Sequence, residues 1–158
     1  MELKGNFILK GTGKGEILAT KNPISFWGCV DPLTGIISDK RHELYKSCIA
    51  DKVLVFPYGK GSSTGSLMIL ELIRNNKAPA AIINIRTEPL LTTGPVVGKH
   101  FYGKYFPVLT IDEDSFDHLK TGQFASISGD GKTAFVSIDK SFQGTILPIG
   151  NRKINILE

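Results

Sequence analysis

The chain has 158 residues, of which 41% are hydrophobic and 22% charged, with a formal net charge of +4. That length suits one domain with a real core, and the composition is that of a soluble globular protein. The basic residues are scattered, which excludes the stripe or arm of a nucleic-acid binder, and no apolar run approaches the ~20 residues that span a bilayer.

Cys29 and Cys48 form neither a CxxC pair nor a zinc pattern with His42, His100 and His118. The start "MELKGNFILKG" has no apolar signal-peptide core, so the reading is a cytoplasmic protein with reduced thiols. "NFILKG" and "GEILATKNPISF" alternate apolar and polar residues, which predicts two strands joined by the turn "GTGKG". "WGCVDPLTGIISD" predicts a loop with a turn at 31–35, where Pro32 presets one backbone angle and Gly35 permits the unusual one. "DKRHELYKS" fits a loop better than a helix. "KVLVF" (52–56) is a short continuous apolar run, as expected of a strand buried on both faces.

The loop "PYGKGSSTGS" (57–66) follows. Beyond it Leu67, Leu70 and Ile73 recur every three residues, which predicts a helix with that stripe inward. Pro79 ends the helix, and "AAIINI" (80–85) is a second buried strand. Strand, helix and strand make a right-handed parallel βαβ unit. "TEPLLTTG" predicts a short helix and "YFPVLTI" a strand. "DEDSFDHLKTG" predicts a short helix capped by Asp112 or Asp114, with Phe116 and Leu119 inward. "QFASISGDGKTAFVSI" predicts a hairpin turning at Gly129-Asp130-Gly131, and the tail "FQGTILPIGNRKINILE" adds one or two strands. The fold class is mixed α/β, a single domain over 1–158, with a βαβ core and strands at both ends.

The loop at 57–66 carries the chemistry. It lies at the carboxyl end of a parallel strand and the N-terminus of a helix, where open α/β sheets bind ligands. Free N–H groups and the helix dipole attract anions there. Gly59, Gly61 and Gly65 permit close backbone approach, and Ser62, Ser63 and Thr64 add hydroxyls. Lys60 precedes the serines, so the loop is no P-loop. Its GxGxxxG spacing misses the dinucleotide fingerprint, and "GSSTG" places serine one step off a nucleophile elbow. Plain hydroxyl capping of the helix is the alternative reading.

"NPISFWGCVDPLTG", "GKGSSTGS" and "APAAIINIRTEPLLTTG", in that order, resemble the aconitase X swivel domain, the small subunit of aconitase-X-type dehydratases. The resemblance spans 15–138. It implies a swivelling β/β/α domain with a barrel-like sheet, paired as a heterodimer with a large catalytic subunit. That subunit would hold the iron or iron–sulfur cluster and most substrate contacts, leaving no metal on this chain. The loop also resembles the Gly-Ser-Ser-Arg-Glu turn of ordinary aconitases, whose first serine is the catalytic base. That position is Ser62. Thr64 stands where those enzymes use an arginine on a substrate carboxylate, which argues against a tricarboxylic acid.

The family dehydrates cis-3-hydroxy-L-proline or 5-phosphomevalonate. "GSSTGS" and "SFWG" resemble the hydroxyproline type, so the expectation leans there. Gly61, Ser63, Thr64 and Gly65, with Lys60, Ser25 and Asp31 further out, are the expected contacts to a small anionic or zwitterionic substrate. Trp27 is expected to pack in the core beside Phe26, the alternative being a place near the cleft or subunit interface, and Glu88 to line the cleft or pair with Arg86. His42, His100 and His118 are expected at the surface, and Cys29 is expected to be no ligand. A different class of function is a non-catalytic module that binds an anion or a partner through the same loop.

Overall fold

Residues 1–60 and 63–139 are described by a computed structural model. Their strands are β1 (Glu2–Leu9), β2 (Gly13–Ala19), β3 (Val53–Val55), β4 (Ala81–Asn84), β5 (Val108–Thr110), β6 (Phe124–Asp130) and β7 (Thr133–Asp139). The helices are α1 (Phe26–Cys29), α2 (Ser63–Arg74), α3 (Pro89–Tyr102) and α4 (Glu113–Phe116). The strands expected in the tail, 140–158, lie outside the described residues.

The seven strands close a barrel in the order β1-β5-β4-β3-β2-β6-β7. From β2 through β3 and β4 to β5 neighbours run parallel, so the predicted βαβ unit forms around α2. β1, β6 and β7 complete the barrel with antiparallel pairs. Alternation along each strand then serves two cores. Val53, Val55, Ala81, Ile83 and Leu109 belong to one cluster with Ile127 and Val136 from the hairpin, inside the barrel. Leu54, Ile82 and Val108 point the other way and pack with Ile69, Leu72 and Leu91 of the helices. An unbroken apolar run is what such two-sided burial requires.

Several elements differ from their sequence reading. β2 stops at Ala19 and does not run on to residue 26. The segment 20–25 leaves the barrel toward the loop of interest. Helix α2 buries Gly65, Ser66, Ile69, Leu72 and Ile73, while Leu67 is 61% exposed. A three-residue step falls about 60° short of a full helical turn, so the 67/70/73 stripe drifts off the buried face. Helix α3 runs 14 residues, well past the short helix expected from "TEPLLTTG". Its two glycines form a smooth face against α2: a Cβ on Gly94 would sit 2.8 Å from Ile69 Cγ2, and one on Gly98 3.0 Å from Ile73 Cδ1. That close packing outweighs the poor helix propensity of Gly94, Pro95 and Gly98.

In the β6–β7 hairpin Asp130 pairs with Thr133, so the turn residues are Gly131 and Lys132, one step beyond the expected position. The 31–35 turn forms as read, with Gly35 N–H donating to Asp31 O at 2.8 Å. Asp112 caps α4 by accepting from Ser115 N–H at 2.7 Å, and that bond holds its carboxyl below the usual range. Phe116 and Leu119 are buried in the barrel cluster, as their spacing predicted.

Candidate active site

β3 and β4 end side by side, and the chain beyond β3 is tied to the chain beyond β4. Asn84 is fully buried, and its side-chain N–H donates to Phe56 O at 2.8 Å. Thr87 Oγ1 donates to Asn84 Oδ1 at 3.2 Å, so both ends of the amide are satisfied. Ile85 and Arg86 N–H both donate to Pro57 O. A buried amide is tolerated only when bonded in this way. The sequence reading missed Asn84, although its signal was visible: it is the one polar side chain in "AAIINI".

Further along, Ile24 N–H donates to Tyr58 O at 3.4 Å and Lys60 N–H to Ile24 O at 2.9 Å. This parallel bridge joins Ile24 to Gly59 and brings the "NPIS" segment beside the Gly/Ser loop. Gly61 and Ser62 lie outside the described residues. Ser63 opens α2 and is exposed, Thr64 is half-buried and Gly65 is buried. Ser66 Oγ donates to Ser63 O at 2.7 Å, which commits that hydroxyl to the helix itself.

Two hollows flank Lys60. One, of about 20 Å³, is a tight apolar dent lined by Ile24, Phe26, Ser66, Leu90 and Leu91, with Glu88 at its edge. The other, of about 370 Å³, is polar and is lined by Asn22, Ser25, Asp39, Arg41 and His42. The second is of a size that takes a small molecule. Segments 20–25 and 39–43 supply most of its lining and are tied together by hydrogen bonds. Thr20 Oγ1 donates to Glu43 Oε1, which also accepts Lys21 N–H at 3.0 Å. The Thr20 bond is the main cause holding the Glu43 carboxyl below its ordinary range.

His42 Nδ1 accepts from Leu44 N–H at 3.1 Å, which assigns the ring proton to Nε2 and lets it donate to Pro23 O at 3.2 Å. The half-buried ring is thus a brace with both nitrogens engaged, where a surface position was expected. The Arg41 guanidinium grips Asp39 by two bonds, of 3.2 and 3.3 Å, and holds that carboxyl low.

The structure brings Lys60 and Ser25 into one hollow. Ser25 Oγ donates to Trp27 O at 3.1 Å. Asp31 stands apart: its Oδ1 accepts Leu33 N–H at 2.9 Å within the 31–35 turn, and it lines neither hollow. Phe26 is core, edge-on to Phe56 with ring centroids 6.1 Å apart. Trp27, expected beside it in the core, is instead 59% exposed, because the chain turns outward there at Gly28 with φ 79°. Arg86 lies over the Tyr58 ring at 4.2 Å. His100 and His118 are exposed.

Cys29 is buried, and burial foremost, with Asp39 second, raises its thiol. Cys48 Sγ donates to Thr34 O at 3.6 Å. Among the described residues no three His, Cys, Asp or Glu side chains converge to hold a metal ion. These side chains therefore do not fit an iron centre or cluster. No described helix is long and apolar enough to cross a membrane.

A closed barrel with a helical layer on one side, and a Gly/Ser loop opening beside the parallel strand ends, is the architecture of a swivel-type domain. The aconitase X swivel domain family matches residues 2–138, and the chain belongs to it. It is 40% identical over 130 residues to the phosphomevalonate dehydratase small subunit of Methanosarcina mazei, covering 82% of this chain and 86% of that one. The small subunit of the same name from Thermococcus kodakarensis is 39% identical, with 82% and 92% covered. The cis-3-hydroxy-L-proline dehydratase of Hypocrea jecorina is 35% identical over 80% of this chain, which spans only 21% of that relative. The crystal structure of Thermococcus kodakaraensis aconitase X, in its holo-form, superposes with a TM-score of 0.75 at 37% identity, over 87% of this chain and 98% of that one.

Proposed function

We propose that the chain is the small subunit of a phosphomevalonate dehydratase, active in complex with a large subunit, and that Ser62 is the base. The observation that carries the substrate is likeness to separate small subunits: 40% and 39% identity to two phosphomevalonate dehydratase small subunits, 86% and 92% of which are covered, against 35% identity to the hydroxyproline enzyme, a longer chain of which 21% is covered. This reverses the lean drawn from "GSSTGS" and "SFWG". Trp27, one of the residues behind that lean, is exposed and lines neither hollow.

Dehydration of a β-hydroxy acid takes a proton from the carbon beside the carboxylate and expels hydroxide from its neighbour. A serine oxygen can take that proton only with alkoxide character, which needs preorganised donors. Ser62 directly precedes Ser63, the first residue of α2. The first turn of a helix offers N–H groups without intrahelical partners and the positive end of its dipole. Departure of hydroxide is left to the large subunit, where the family resemblance puts the iron. Exposed Trp27, Leu67 and Leu90 stand near the loop, and apolar surface of this kind suits burial by a second chain. Such cover would also exclude water from the base.

The test is co-expression with a large subunit of the family and assay on 5-phosphomevalonate. The pair turns over and this chain alone does not. S62A assembles normally but loses turnover by roughly 10²–10⁴-fold, the scale of a lost general base. Near-normal turnover by S62A would remove the assignment.

A further inference from the structure

Resting on that dehydratase reading, we propose that the polar hollow between Lys60 and Arg41 seats the phosphate of the substrate. The chain bounds the distance. Lys60 precedes Ser62 by two residues, so their Cα atoms are at most about 7 Å apart. A lysine side chain spans a similar length. In phosphomevalonate the reacting carbon and the phosphate sit toward opposite ends of a five-carbon chain. A phosphate seat must therefore lie about one long side chain away from the base, and the short covalent link from Lys60 to Ser62 keeps the hollow that Lys60 lines within such a reach.

The charges facing the hollow are Lys60, Arg41 and Asp39. Among the described residues Lys60 enters none of the ion pairs. Its backbone is fixed by the 2.9 Å bond to Ile24 O, so the free ammonium starts from a defined point. Arg41 spends Nε and one N–H of Nη2 on Asp39. Its fork has five donors, so Nη1 and the second Nη2 proton remain for a ligand. Asp39 thereby holds the guanidinium in place and leaves it donors to offer. Phosphate is the anion such a fork and a point charge bind well. Ser25 and Asn22 line the same space as neutral polar groups, and His42 has no ring nitrogen left over. A substrate without a phosphate, such as cis-3-hydroxy-L-proline, would leave the Lys60 ammonium and the spare Arg41 donors without an anion, so the pair acts as a specificity determinant.

The experiment uses the reconstituted complex and steady-state kinetics on 5-phosphomevalonate. The double variant K60Q/R41Q raises KM about tenfold or more while kcat changes little, the pattern of lost uniform binding. K60R recovers much of the affinity that K60Q loses, because the charge is kept. Inorganic phosphate inhibits the wild-type complex competitively and inhibits the double variant far less. An unchanged KM in the double variant, or a fall in kcat alone, overturns the phosphate seat while leaving the dehydratase reading intact. A wild-type complex that is inert toward phosphomevalonate overturns both.

Discussion

Inside the barrel, Ile17, Val53, Val55 and Ile83 are fully buried in one apolar cluster drawn from several strands and from Phe116 and Leu119. At the rim beside Lys60, segments 20–25 and 39–43 are held instead by individual polar bonds: Thr20 to Glu43, His42 to Pro23, Arg41 to Asp39. The barrel rests on area removed from water, which is indifferent to direction and to mild pH change. The rim rests on protonation states and on hydrogen-bond geometry. The difference teaches that one small domain separates the work of staying folded from the work of shaping a polar hollow, and that the two can be perturbed independently.

The sharpest separation comes from the barrel. I83A removes a fully buried side chain and lowers stability by about 2–5 kcal/mol. Urea unfolding measures this, and KM of the reconstituted complex stays as in the wild type. A shift in KM without a stability loss would erase the proposed division. Asn84 tests the boundary, since it belongs to β4 yet bonds the loop after β3. N84A leaves the Phe56 carbonyl without that donor and costs about 1–3 kcal/mol. It also loosens the loop before Ser62, so kcat falls together with the urea midpoint; a fall in stability alone would confine Asn84 to the barrel.

The smallest effect lies at the rim. Thr20 and Lys21 lower the folded pKa of Glu43 below its unfolded value. Its contribution is therefore complete above the ordinary carboxylate pKa and disappears as pH falls through the lower folded value. NMR titration should show the Lys21 amide shifting only below the usual glutamate range, with the Ile83 amide unmoved. A Lys21 amide that titrates at the ordinary glutamate value would mean that the rim bond does not form in solution.

Local signals made much of the fold legible. "KVLVF" and "AAIINI" read as buried strands, and Asp112 was one of the two caps read for α4. What depended on distant partners did not show. The face of α2 was misread because α3, with Gly94 and Gly98, decides which side is covered. The length of α3 was underread for the same reason. At the site, the sequence pointed to the loop and to Ser25 and Lys60, but gave no hint that Arg41 and His42 share their hollow. That juxtaposition arises from contacts such as His42 to Pro23, across 19 residues, which no periodicity encodes. Asp31 looked equally polar and serves a turn.

The pairing of β1 has a consequence for the order of assembly. Its Phe7 lies opposite Leu109 of β5, and its Lys4 opposite Phe135 of β7. β1 is thus made before the other strands of the barrel but finds its partners only after roughly a hundred further residues have been made. Contacts of such sequence separation slow folding. Until β5 and β7 emerge, β1 is a stave with no neighbour to pair with, and the ring closes only once β7 has been made.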